Sequence, residues 1–206
     1  MNRKHHWEKV YATKAADSVS WFQPHAELSL GLIRAVAADR RSAVIDVGGG
    51  ASTLVDDLLA DGYGDLSVLD LSGAALDVAK KRLGEAACRV AWIEGDIAKT
   101  PLARHRYDVW HDRAVFHFLT EARDRQAYVA QVLRAVRPGG HVIVASFAED
   151  GPLKCSGLDV MRYSPEALHA QFGEAFELLG HEREAHQTPT GKEQLFTYCY
   201  CRVESN

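Results

Sequence analysis

Short apolar runs rich in β-branched residues alternate along this chain with longer stretches whose apolar positions recur every three or four residues. Ala43-Val-Ile-Asp-Val47 is apolar enough for a strand buried on both faces. Leu66–Asp70, Arg89–Ile93, Tyr107–Trp110 and His141–Ala145 repeat that pattern. Between them, helices are predicted over 53–60, 73–83 and 120–136. Ser52 and Ser72 are the N-caps of the first two, and Pro138-Gly-Gly140 is the stop of the third. Upstream, 3–13 predicts a short helix with Trp7, Val10 and Tyr11 on one side, and Pro24 opens a second helix to about Ala38. Downstream, Ser164-Pro165 opens a helix to about Phe172. Phe176–Glu184 and Gln194–Val203 then flank Gln187-Thr-Pro-Thr-Gly191, the pattern of a hairpin. Strands alternating with helices predict βαβ units. The expected fold is α/β: a doubly wound seven-stranded sheet, mostly parallel, with an antiparallel C-terminal hairpin. One domain is expected over 1–206, with 1–38 a helical arm or lid and 39–206 the core.

Composition narrows the function classes. The 206 residues are 47% hydrophobic and 25% charged, which excludes a disordered or fibrous chain. The net charge of −4 provides no broad basic field, so general nucleic-acid binding is not expected. No apolar run reaches the roughly 18 residues a membrane span needs. The opening Met-Asn-Arg-Lys-His-His-Trp-Glu lacks the apolar stretch of a secretory signal. Cys88, Cys155, Cys199 and Cys201 form no disulfide framework, and a reducing cytoplasm is expected. No metal site is expected: Cys199-x-Cys201 puts two thiols on one strand face, with no second pair at zinc spacing.

The chemistry concentrates at strand ends. Asp46-Val-Gly-Gly-Gly50 stands at a strand-to-helix junction, where glycines let a ligand approach the backbone and the helix offers free N–H groups. Asp46, polar on a buried strand, must meet backbone amides or a cationic ligand. Asp70 ends the second strand and can accept the hydroxyls of a ribose. Asp96 follows the third and can accept from an exocyclic amine, with Leu71 and Ile97 as flat apolar contacts to a purine. Each piece alone has a plainer reading, as a tight turn or a helix cap. Together, at the carboxyl ends of three successive strands, they point to a nucleoside site. The turn reads Gly48-x-Gly50-x-x-Thr53, without the third glycine of a dinucleotide fingerprint, and there is no phosphate-loop motif.

Asp46-Val-Gly-Gly-Gly50, Leu69-Asp70-Leu-Ser72, Gly95-Asp96-Ile97, Tyr107-Asp-Val-Trp110 and Leu133-x-x-Val-Arg-Pro-Gly-Gly140 resemble the class I S-adenosylmethionine-dependent methyltransferases over about residues 43–147. His6-Trp-Glu-Lys-Val-Tyr11 with Ser20-Trp-Phe-Gln23 is similar to a branch of small methyltransferases that includes protein-lysine members. The resemblance implies a Rossmann-like core that binds S-adenosyl-L-methionine and releases S-adenosyl-L-homocysteine. It implies that Asp46, Gly48 and Gly50 line the methionine end and that Asp70 holds the ribose with Leu71 beside the adenine. Asp96 and Ile97 would recognise the adenine, and His111 would lie near the methionine or the methyl. The family's usual Glu-x-Gly is Asp46-x-Gly here. Trp110-His-Asp-Arg113 stands where an Asn/Asp-Pro-Pro-Tyr motif would indicate amide-nitrogen methylation.

On the acceptor side, His111, Asp112 and Arg113 are the candidate catalytic residues. Asp112 is a candidate to accept a proton or orient an amine, and Arg113 to bind a carboxylate; the plainer reading of the two is a loop ion pair. Phe116 and Phe118 are candidate walls. His117 reads as a core histidine before it reads as a base. Trp21 with Phe22 forms either a flap over the cofactor or ordinary packing of the arm. The expected activity is methyl transfer by in-line displacement to a small molecule or a protein side chain. The alternatives are a nicotinamide-linked oxidoreductase and a non-catalytic relative that binds the cofactor.

Overall fold

The computed structural model describes residues 3–204; the outermost residues of the expected arm and core, 1–2 and 205–206, lie outside the described residues. Helices α1 (Arg3–Thr13) and α2 (Glu27–Val36) precede strand β1 (Ala43–Val47). There follow α3 (Leu54–Ala60), β2 (Asp65–Asp70), α4 (Gly73–Leu83), β3 (Val90–Glu94), β4 (Tyr107–Arg113), α5 (Ala122–Ala135) and β5 (Val136–Phe147). A two-stranded ribbon, β6 (Lys154–Cys155) and β7 (Leu158–Asp159), leads to α6 (Pro165–His169), β8 (Phe176–Gln187) and β9 (Glu193–Val203).

The main sheet has seven strands in the order β3-β2-β1-β4-β5-β9-β8. β1 through β5 run parallel, and β9 lies antiparallel to both β5 and β8. The order reverses between β1 and β4, and the carboxyl ends of the strands splay open at such a switch. Helices cover both faces. On one face Trp110, Tyr128, Val132, Leu168 and Phe176 join the core under α5 and α6. On the other, Leu30, Ile33, Leu54, Leu58, Phe196 and Tyr198 join it under α2 and α3. β1 serves both layers by strict alternation, with Ala43, Ile45 and Val47 in the first and Val44 in the second.

Several boundaries differ from those the sequence predicts. β4 runs on to Arg113, because Asp46, Val47 and Ala145 on its neighbours pair with His111, Asp112 and Arg113. α5 stops at Ala135, and Pro138-Gly-Gly140 lies inside β5, with Gly139 at φ +76°. Pro24 lies before α2, which begins at Glu27. Ser72 caps α4 as expected, accepting from the Ala75 amide at 3.2 Å. Ser52 acts one residue outside the expected position, accepting from the Leu54 amide at 3.2 Å. Among the described residues no helix is long and apolar enough to cross a membrane.

Candidate active site

The turn after β1 is built around two carboxylates. Gly48 has φ +72°, a conformation that costs glycine little, and its amide donates to the Leu69 carbonyl of β2 at 2.6 Å. A Cβ at Gly48 would collide with Val115, one at Gly49 with the Asp46 carboxylate, and one at Gly50 with that of Asp70. The three glycines therefore let two buried acids face one loop. Burial pushes the Asp70 carboxyl up to about 7, against hydrogen bonds from the Ser72 and Gly50 amides that favour its ionised form. Asp46 is only 4% exposed; its Oδ1 lies 2.7 Å from His111 Nδ1, and its Oδ2 has no partner. A buried carboxylate oxygen left unpaired is costly unless a ligand donor meets it.

Two clefts open over this turn. The larger encloses about 830 Å³, including the solvent at its mouth, and is lined by Asp70, Leu71, Asp96, Ile97, Val115 and Phe118. The smaller is lined by Asp46, Gly49, Ser52 and His111. Tyr11, Trp21, Gly48 and Arg113 line both. The roof is aromatic: Trp7 stands edge-on to Trp21 and Phe118, with ring centroids 5.5 and 5.2 Å away. Glu8 fastens α1 over the site, its carboxylate accepting from the Gly73 amide at 2.7 Å at the start of α4. Asp96 lines the cleft while accepting from the Ala98 amide at 3.0 Å and pairing with Lys99 at 3.0 Å.

The stretch predicted as one acceptor-side cluster divides between the two layers. Successive side chains of a strand point to opposite faces. His111 and Arg113 therefore face the α2 layer and Asp112 the α5 layer. Asp112 does not reach the cleft: fully buried, it accepts from the Val115 and Phe116 amides at 2.9 and 3.1 Å and from the Tyr128 hydroxyl at 2.6 Å. Burial pushes its carboxyl up to about 7. It caps the Phe116–Phe118 turn, and with both oxygens spent there it is not the proton acceptor that the sequence predicts. The plainer reading, a loop ion pair between Asp112 and Arg113, is not what forms either. Arg113 binds Glu184 at 2.9 Å and stacks on Phe196 at 4.1 Å. Both His111 nitrogens are engaged, with Asp46 and with Ser29 Oγ at 2.8 Å. His117 is sealed in the core, where burial lowers its pKa to about 3.

Sequence reasoning missed Ser29, Tyr198, Glu184 and Gln23. They continue a polar chain from Asp46 and His111 through Ser29 to Tyr198 (3.3 Å), Arg113 (3.1 Å), Glu184 (2.9 Å) and Gln23 (2.7 Å). These residues lie far apart along the chain, so no local pattern joins them. Cys155, from the unpredicted β6–β7 ribbon, also lines the larger cleft. Gly50 lines neither cleft and acts by making room for Asp70. Cys199 and Cys201 share a strand face, with their sulfurs 3.5 Å apart in the core. No three metal-ligating side chains cluster among the described residues.

Residues 44–140 match a family model described as a methyltransferase domain. That span is just under half of the chain and runs from β1 into β5. The chain's seven-stranded sheet with one reversed strand is shared by solved structures. One, from work on the conversion of a disulfide bond into a thioacetal group in echinomycin biosynthesis, has TM-score 0.76 and 18% identity over 100% of this chain and 93% of that one. Another, Burkholderia thailandensis 1,6-didemethyltoxoflavin-N1-methyltransferase with bound 1,6-didemethyltoxoflavin and S-adenosylhomocysteine, has TM-score 0.67 and 18% identity over 98% and 84%. By sequence, the chain is 31% identical over 109 residues to a ubiquinone/menaquinone biosynthesis C-methyltransferase of Roseobacter denitrificans, covering 52% of this chain and 42% of that one. It is 23% identical over 155 residues to the eEF1A lysine and N-terminal methyltransferase of Bos taurus, covering 72% of this chain and 22% of that one. The chain thus spans less than half the length of either relative.

Proposed function

We propose that the protein is an enzyme that moves a methyl group from S-adenosylmethionine to a small-molecule or protein side-chain acceptor by in-line displacement. The observation that carries this reading is the pair of buried carboxylates at the glycine turn, Asp46 with an unpartnered oxygen and Asp70 with its pKa pushed up to about 7. Buried acids with open acceptor capacity fit a ligand that presents an ammonium group and vicinal hydroxyls. In this reading Asp46 and Gly48 hold the methionine end, Asp70 accepts from the ribose, and Asp96 accepts from the adenine amine. Leu71 and Ile97 flank the purine. Gly50 keeps the turn open for Asp70.

The cofactor, when bound, supplies an electrophilic methyl carbon on a positively charged sulfur. The chain's own contribution is positioning and dryness. Trp7, Tyr11 and Trp21 cover the cleft against water. Glu8 holds α1 in place as part of that cover. His111, bridging Asp46 and Ser29, orients the Asp46 carboxylate and is a positioning residue.

The relatives' names support both acceptor classes, one being a C-methyltransferase of ubiquinone/menaquinone biosynthesis and the other an eEF1A lysine and N-terminal methyltransferase. The nicotinamide reading has less support, because Thr53 stands where a third glycine would pack helix against strand. Calorimetry with S-adenosylhomocysteine and, separately, NADH tests the assignment. Saturable binding of the first and none of the second is expected. Absence of S-adenosylhomocysteine binding at millimolar concentration would overturn it.

A further inference from the structure

Resting on the methyltransferase reading, we infer that the acceptor is a flat aromatic molecule that meets Arg113 through an ionised heteroatom, as an arene thiolate or phenolate does. The walls indicate the shape. Trp7, Tyr11, Trp21, Val115 and Phe118 line the larger cleft, with ring pairs at T-shaped angles of 85° and 76° that offer faces and edges for a ring to pack on. The charges indicate the ionisation state. Arg113 lines both clefts at their shared boundary, so it stands where the two halves of the site meet. Its guanidinium donates to Glu184, to Tyr198 and to the Trp21 carbonyl. Each terminal nitrogen makes one of these contacts and keeps a second N–H to offer.

Among the described residues, no group around the clefts is placed to take a proton from an acceptor near neutral pH. Asp112 faces the opposite layer, and His117 is sealed in the core. Both His111 nitrogens are engaged, and Asp46, Asp70 and Asp96 belong to the cofactor half. Burial pushes the Tyr11 phenol up and the Cys155 thiol up to about 12, so both stay protonated. Burial alone would raise the Glu184 carboxyl, but Arg113 overrides it and holds Glu184 below its usual value; it lines neither cleft. An alkylammonium acceptor would need a base here and would face a buried guanidinium. An acceptor that loses its proton to solvent before transfer needs neither. Its lone pair forms the new bond to the methyl carbon, and the electrons of the breaking S–CH3 bond stay on sulfur. Anion and sulfonium thereby become two neutral products, a change favoured in a dry cleft.

The test compares 2-naphthalenethiol with 2-naphthylmethylamine, one ring system with opposite charge. Quenching of tryptophan fluorescence, with S-adenosylhomocysteine present, reads binding. Labelled S-adenosylmethionine reads transfer. The thiol is expected to bind at least about tenfold more tightly than the amine, to be methylated, and to bind with a pH profile that follows its own ionisation. The paired variant R113M/E184Q, which leaves no lone buried charge, is expected to lose that preference; its circular dichroism spectrum and urea melt serve as the check on folding. Equal or better binding and methylation of the amine overturns the inference. So does S-adenosylhomocysteine binding with neither arene bound, which leaves the methyltransferase reading standing. Failure of S-adenosylhomocysteine itself to bind removes that reading and this inference with it.

Discussion

Asp70 and Asp112 are near-twins in burial and opposites in use. Asp70 ends β2 and Asp112 is next to last in β4, at the same edge of the sheet, and burial pushes both carboxyls up to about 7. Asp112 spends its oxygens inside the protein, on two amides and the Tyr128 hydroxyl, which is itself held by the Trp110 indole at 2.8 Å. Asp70 accepts from the Ser72 amide at 2.8 Å and turns toward an open cleft. A perturbed carboxyl at a strand end is therefore no mark of a ligand site by itself. Acceptor capacity left unspent is the better mark.

Substituting the two acids separates them most sharply. D70N should weaken S-adenosylhomocysteine binding roughly 10- to 100-fold, the scale of losing charge-assisted hydrogen bonds, with calorimetry as the measure. D112N should leave that affinity within about threefold but lower unfolding free energy by about 1–3 kcal/mol in urea melts, because an amide N–H₂ would face donors. Equal loss of binding in both variants would erase the contrast.

The pH dependence sharpens it further. The ionised Asp70 is the form that accepts from two hydroxyls, so ligand affinity should be flat above about pH 8. It should fall as pH drops through 7, approaching tenfold per unit. D70N should flatten that profile. The stability of the ligand-free protein runs the other way. The folded carboxyl holds its proton more tightly than the unfolded one, so its contribution to stability is lost as pH rises from about 4 to 7. The smallest effect is expected of Tyr198→Phe. Loss of its contacts to Arg113 and Ser29 should cost about 1 kcal/mol in the same melts.

The same contrast explains what the sequence made legible. The glycine turn, Asp70 and the Ser72 cap are local devices whose neighbours along the chain are also their neighbours in space. β4 is different. His111-Asp112-Arg113 carries no strand signal of its own and becomes strand only because β1 and β5 flank it. A strand read only to Trp110 loses that alternation, so three residues that face two layers read as one cluster. The β6–β7 ribbon has two residues per strand, too few for any period to show. Glu184 and Tyr198 meet Arg113 from 71 and 85 residues away, so their partnership is a property of the topology.

The reversed direction of β9 has a consequence for biosynthesis. Insertion of that strand beside β5 brings the hairpin's outer end back to the sheet edge where the arm crosses. There His186 binds the Ser20 carbonyl at 2.8 Å, Arg113 that of Trp21 at 3.3 Å, and Glu184 the Gln23 amide at 2.7 Å. On a translating ribosome the arm emerges more than 160 residues ahead of its fasteners on β8. A nascent chain can assemble the five parallel strands and their glycine turn before the arm's fasteners on β8 exist.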